Sequence, residues 1–190
     1  EEIFPEQSLT HFELTTSYRS TEEITNFANQ FLTQENRVEL TARVGDLPQV
    51  YYANESRQMI DGLIHQIEET AEVAKYWRTA IIAKTVEECQ ALYDQLTTAQ
   101  KEYVQLLTDE EDFMKKSLII IPTYLAKGLE FDRVYAWNIS PENYHTEQDK
   151  LILYTVCTRA MHELNLLVIG ERSPLLEMIP ENLYKEQSLL

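Results

Sequence analysis

An α/β fold, with a parallel sheet covered by helices on both faces, is what the sequence predicts, and three observations carry that prediction. Short apolar runs alternate with amphipathic helical stretches, and several of the runs are apolar at successive positions rather than at every second one. The chain has 190 residues, 44% of them hydrophobic, enough for the core of one ordinary domain. In a sheet of this kind ligands gather at the carboxyl ends of the strands. The expected unit is one domain, 1–190, in which 174–190 forms a peripheral tail with a short helix and a frayed end.

Ser20 followed by Glu23 has capping-box spacing, and Ile24, Phe27, Ala28, Phe31 and Leu32 repeat on one stripe, so a helix is expected over roughly 21–33. Gln49 to Ala53 reads as a strand, and Ile60, Leu63, Ile64 and Ile67 mark the helix after it. Thr79 to Ala83 is the next strand. Thr85 and Glu88 repeat the capping spacing, with Cys89, Leu92, Tyr93 and Leu96 as the buried face of another helix. Tyr103 to Leu107, Leu118 to Pro122, Val134 to Trp137 and Leu164 to Ile169 are further strands, with a helix around 147–161 before the last.

Composition excludes several function classes. There are 32 acidic side chains against 16 basic ones, for a net charge of -16, so the surface as a whole repels a phosphate backbone and any nucleic-acid contact must be local. Cys89 and Cys157 form no CxxC pair, which argues against a zinc knuckle or a disulfide scaffold and fits a reducing, cytoplasmic setting. No run of about 18 apolar residues occurs, and Glu1 to Gln7 lack a signal-peptide pattern, so a soluble, unexported protein without a membrane partner is expected. With only four glycines, Gly45, Gly62, Gly128 and Gly170, neither GxxxxGK[ST] nor GxGxxG can be assembled: no phosphate-binding loop lies in this chain.

Two decoys are set aside. Val104 to Thr108 followed by the acids of Asp109 to Asp112 imitates a strand ending in a magnesium-binding cluster, but no phosphate loop precedes it, and acidic runs after strands are ordinarily solvated turns. His145, between Glu142 and Glu147, lacks the spacing of a helical metal-binding pair and reads as a surface histidine, so no metal site is expected.

Three stretches carry the chemistry. The first is Ser17-Tyr18-Arg19-Ser20-Thr21, continued by Glu23-Ile24 and Phe27-Ala28-Asn29. The second runs from Thr123 and Tyr124 through Lys127-Gly128-Leu129-Glu130-Phe131, and the third is Tyr154-Thr155-Val156-Cys157-Thr158-Arg159-Ala160. In order and spacing they resemble motifs IV, V and VI of superfamily 1 helicases of the UvrD/Rep kind, and they span most of the chain. The resemblance implies the second, C-terminal RecA-like motor domain, called 2A, with a sheet like that of P-loop NTPases but lacking its own P-loop.

What the resemblance implies for the residues follows. Arg19 and Arg159 would point at the γ-phosphate of ATP held, with Mg²⁺, mainly by an N-terminal RecA-like domain. A forked, permanently charged guanidinium stabilises phosphoryl charge better than Lys would. Tyr18 would stack on adenine, Glu130 would accept from the ribose hydroxyls, Gly128 would let backbone approach a phosphate, and Lys127 would help orient that turn. Thr123 and Tyr124 would lie beside single-stranded DNA. The bland readings are a salt-bridged surface Arg, a core or rim Tyr18, and strand-edge solubility charges at Glu130 and Asp132.

The full-length protein would then be an ATP-dependent DNA helicase, with this domain inactive alone. The chain begins almost at the first motif, as an excised domain would. The 2B domain that UvrD and Rep carry between motifs IV and V is missing. Pro122 and Tyr124 replace the threonine and histidine of UvrD-type motif V. The stretch from Tyr144 to His162, with Ile121 to Gly128, looks particularly like HelD, the branch associated with RNA polymerase. That resemblance implies an alternative in which the domain docks on and remodels RNA polymerase with little unwinding.

Overall fold

The computed structural model describes residues 20–40, 42–109 and 113–188. Seven strands form one sheet: β1 (Gln49–Ala53), β2 (Thr79–Ala83), β3 (Val104–Leu106), β4 (Leu118–Pro122), β5 (Phe131–Ala136), β6 (Ala160–Ile169) and β7 (Lys185–Ser188). Their order is β3-β4-β2-β5-β6-β1-β7, and every pairing is parallel. The helices are α1 (Glu22–Asn29), α2 (Ser56–Glu69), α3 (Val86–Asp94), α4 (Thr98–Tyr103), α5 (Thr123–Ala126), α6 (Glu147–Cys157) and α7 (Pro174–Glu177).

Two-residue alternation divides the strands between two cores. Ile82, Ile119, Ile121, Val134 and Leu166 pack with Ile24 and Phe27 of α1 and Leu153 and Val156 of α6. On the other face Ile81, Ile120, Tyr135 and Leu167 pack with Ile60 and Leu63 of α2 and Leu92 of α3. β2 and β4 are buried at all five positions, which is why they read as unbroken apolar runs.

Several boundaries move. The side chain that caps α1 is Thr21, whose hydroxyl accepts from the Ile24 N–H at 3.4 Å, whereas the Ser20 hydroxyl donates to the Ala160 carbonyl at 2.7 Å. Helix α1 stops at Asn29, whose side-chain amide pairs with both backbone groups of Val38. Thr85 caps α3 as its spacing predicts, but the Glu88 carboxylate turns instead to the Lys84 N–H and to Asn138. Helix α6 ends at Cys157, and β6 begins three residues later at Ala160, inside the stretch expected to be helical.

The segment expected to be a peripheral tail is structural. Leu175, Leu176, Ile179 and Tyr184 are buried in the α1–α6 core, with the Tyr184 ring edge-on to Phe27, and β7 adds a parallel edge strand to β1. No helix among the described residues is long and apolar enough to cross a membrane.

Candidate functional site

The carboxyl end of β4 runs directly into α5 and then into a turn, Lys127 to Glu130, before β5. Gly128 makes that turn with φ +87°, and a Cβ there would meet nothing within 4 Å. The demand at this position is therefore backbone conformation alone. Gly128→Ala is expected to cost about 1–2 kcal/mol, the penalty of left-handed backbone for a residue with a Cβ. A shift in the urea midpoint without a change in slope is the measurement, and an unmoved midpoint would show that the turn relaxes freely.

Arg159, just past the end of α6, closes on this turn. Its Nη1 donates to the Leu129 carbonyl and its Nε to the Thr155 carbonyl, both at 3.1 Å, while Nη2 reaches the Thr158 hydroxyl at 3.3 Å. The backbone repeats the contact, with the Phe131 N–H donating to the Arg159 carbonyl at 2.9 Å. One residue on, the Ala160 carbonyl accepts from Ser20. Ser20, the first described residue of the first motif, thus meets the second and third motifs within a few residues of Arg159. Gly128 and Lys127 are exposed here, and Glu130 is half-buried.

Tyr18 and Arg19 lie outside the described residues. Thr123 is a structural tie, its hydroxyl donating to the Ala83 carbonyl at 3.0 Å, which docks α5 on β2. Tyr124 is 54% exposed, with its hydroxyl donating to the Thr108 carbonyl. Tyr124 and Lys127 line a cleft of about 380 Å³ with Leu107, Leu125, Phe113 and Leu129, the residue whose carbonyl accepts from Arg159. His145 is exposed, and no cluster of metal-ligating side chains occurs among the described residues. Burial pushes the Cys89 thiol up to about 12 and raises that of Cys157, so both are inert core residues.

A polar group absent from the sequence reading lies beside this site. Lys84, at the carboxyl end of β2, donates to Asp149 at 2.6 Å and to the Asn143 carbonyl, and stands 5.2 Å from the centre of the Tyr144 ring. Asp149 in turn accepts from the His145 and Thr146 backbone N–H groups and from the Thr146 hydroxyl, closing a capping box at the start of α6. Burial opposes ionisation of Asp149. The Lys84 ammonium and the Thr146 and His145 hydrogen bonds outweigh it and hold the carboxyl well below its ordinary range. Thr146 and Asp149, three residues apart, are the sequence signal that would have found this group.

The model of the UvrD-like helicase C-terminal domain matches residues 12–120, more than half of the chain. The chain belongs to the UvrD-like helicase C-terminal domain family. The matched span holds the first of the three motifs, and the second and third lie beyond it. A solved structure, the C-terminal domain of a possible DNA helicase from Lactobacillus plantarum WCFS1, is 38% identical, with a TM-score of 0.75 over 90% of this chain and 99% of its own. The parallel sheet with flanking helices is thus the RecA-like fold of UvrD-like C-terminal domains. The arterivirus helicase nonstructural protein 10, solved with DNA, is 9% identical, with a TM-score of 0.45 over 87% of this chain and 37% of its own, too slight a likeness to bear on function. No curated protein matches the chain.

Proposed function

We propose that this chain is the second motor domain of an ATP-dependent superfamily 1 DNA helicase or translocase, supplying Arg19 and Arg159 to ATP and Mg²⁺ bound mainly on an N-terminal RecA-like domain. The observation that carries the reading is the junction at Arg159, where one guanidinium holds the motif V turn while the end of motif IV bonds the next residue. Such a junction keeps motifs IV, V and VI in fixed register, so that a nucleotide contact on one is felt by all three. Tyr18 stacks on adenine, Glu130 receives the ribose, and Lys127 and Gly128 shape the turn between them. Thr123 and Tyr124 border the single strand, Thr123 through its backbone because its hydroxyl is spent on Ala83.

The expected result for the isolated chain is no ATP hydrolysis and only weak binding, since it holds no phosphate loop. Titration calorimetry showing micromolar ATP affinity would overturn the two-domain site.

The net charge of -16, with Pro122 and Tyr124 in motif V, favours a second reading, in which the full-length protein is HelD-like and works on RNA polymerase. Neither the family match nor the solved relatives point to that branch. Unwinding of a tailed duplex, compared with binding to purified RNA polymerase at matched salt, separates the two.

A further inference from the structure

At the amino ends of β2 and β4, opposite the motif V turn, the links 70–78 and 113–117 enclose a cleft of about 440 Å³. Lys75, Arg78, Lys115 and Lys116 line it with Tyr76 and Phe113, and no carboxylate among the described residues does so. A quarter of the 16 basic side chains of a strongly acidic chain are therefore gathered in one place. Tyr76 is 89% exposed and Phe113 79%, so neither ring serves the core. The Lys75 ammonium stands 5.9 Å from the Tyr76 ring centre, placing charge and ring on one surface. Lys116 is fixed at the wall, donating to the Lys101 and Val104 carbonyls at 2.8 and 3.0 Å, while Lys75, Arg78 and Lys115 face solvent.

Phe113 and Met114 also line the cleft that holds Tyr124 and Lys127. The two clefts therefore join along the sheet, over the length of β4, roughly 16 Å for five residues.

We propose that the basic cleft binds single-stranded nucleic acid: the solvent-facing Lys75, Arg78 and Lys115 neutralise phosphates, bases stack on Tyr76 and Phe113, and the strand continues over Phe113 and Met114 toward Tyr124. Alternating charge and flat faces is the chemistry that matches exposed cations interleaved with exposed rings. An acidic peptide would meet the cations but offers no recurring flat face to the rings. The proposal stands on the cleft's own residues and not on the motif V assignment.

The test is fluorescence anisotropy of the 190-residue chain with labelled oligo(dT), oligo(rU) and poly-glutamate across a salt series. Both oligonucleotides are expected to bind, because phosphates and base faces are common to them, and poly-glutamate is not. The logarithm of affinity should fall with that of salt with a slope of about -2, from three phosphates at roughly 0.7 each. The double variant Lys75→Glu, Lys115→Glu should weaken binding at least about tenfold and flatten the slope by about 1.4. Tyr76→Ala should weaken it by roughly tenfold, and Tyr76→Phe should not. All these side chains are exposed, so the fold is untouched. Parent-like binding by the double variant overturns the proposal, as does poly-glutamate binding equal to that of the oligonucleotides. If Tyr124→Ala abolishes binding while the cleft variants do not, the motif V reading survives and this one fails.

Discussion

Under the proposed motor function, Arg19→Ala and Arg159→Ala in the full-length protein are each expected to lower kcat by at least about a hundredfold, with a milder effect on KM. That pattern marks an interaction made in the transition state rather than in ground-state binding. Arg19→Lys should recover little, because an ammonium cannot reproduce the two-pronged geometry of a guanidinium on phosphoryl oxygens. Steady-state ATPase assays decide the matter, and near-normal turnover in either alanine variant removes that arginine from the site.

For Arg159 the structure adds a second consequence. Its guanidinium is already engaged with the Leu129 and Thr155 carbonyls and the Thr158 hydroxyl, so the side chain braces the turn that Gly128 makes. To meet a γ-phosphate, it must exchange at least one of these carbonyl bonds for a phosphate oxygen when the N-terminal domain closes. Arg159→Ala should therefore also lower the thermal midpoint of the isolated chain, where no ATP chemistry occurs. Loss of hydrogen bonds to a charged group is worth roughly 1.5–3 kcal/mol when buried and less at this half-buried position. A variant that loses stability but keeps turnover would assign Arg159 to bracing alone.

How much of this was legible in the sequence depended on where each segment lies. β2 and β4 fall on their expected bounds because strands in the middle of a parallel sheet are buried on both faces, and Ala80-Ile81-Ile82-Ala83 and Leu118-Ile119-Ile120-Ile121 announce that burial directly. β7 was invisible for the converse reason. Lys185-Glu186-Gln187-Ser188 is polar throughout, its side chains are exposed, and it joins the sheet through backbone pairing with β1 and polar side-chain bonds from Gln187 to Gln49 and from Tyr52 to Glu186. The tail before it was misread because Leu175, Leu176 and Ile179 are too few and too scattered to show a period, although each is buried. At the candidate site, motif spacing singled out Gly128 and Arg159. It could not reveal that Thr123 spends its hydroxyl on Ala83 or that Arg159 grips Leu129, since both are contacts across the fold.

Lys84 was equally hidden, being a lone cation after a strand, and its replacement should have the largest effect on stability. Lys84→Ala leaves the Asp149 carboxylate, at 5% side-chain exposure, without its ion-pair partner. Breaking a buried pair from one side costs about 3–5 kcal/mol, of the same order as the whole stability of a marginal domain. Lys84→Ala with Asp149→Asn should cost less than Lys84→Ala alone, because the stranded charge is removed while the amide oxygen can still accept from Thr146 and His145. The pH dependence follows from the depressed Asp149 pKa. The contribution of the pair is fully present above the unfolded carboxyl value, about 3.9, and drains away as pH falls through the lower folded value. Urea unfolding of parent and Lys84→Ala at neutral pH and again below pH 4 should therefore give a stability gap that narrows in acid. A gap that is small at neutral pH, or unchanged in acid, would show that Lys84 and Asp149 do not hold the start of α6, the helix that delivers Arg159.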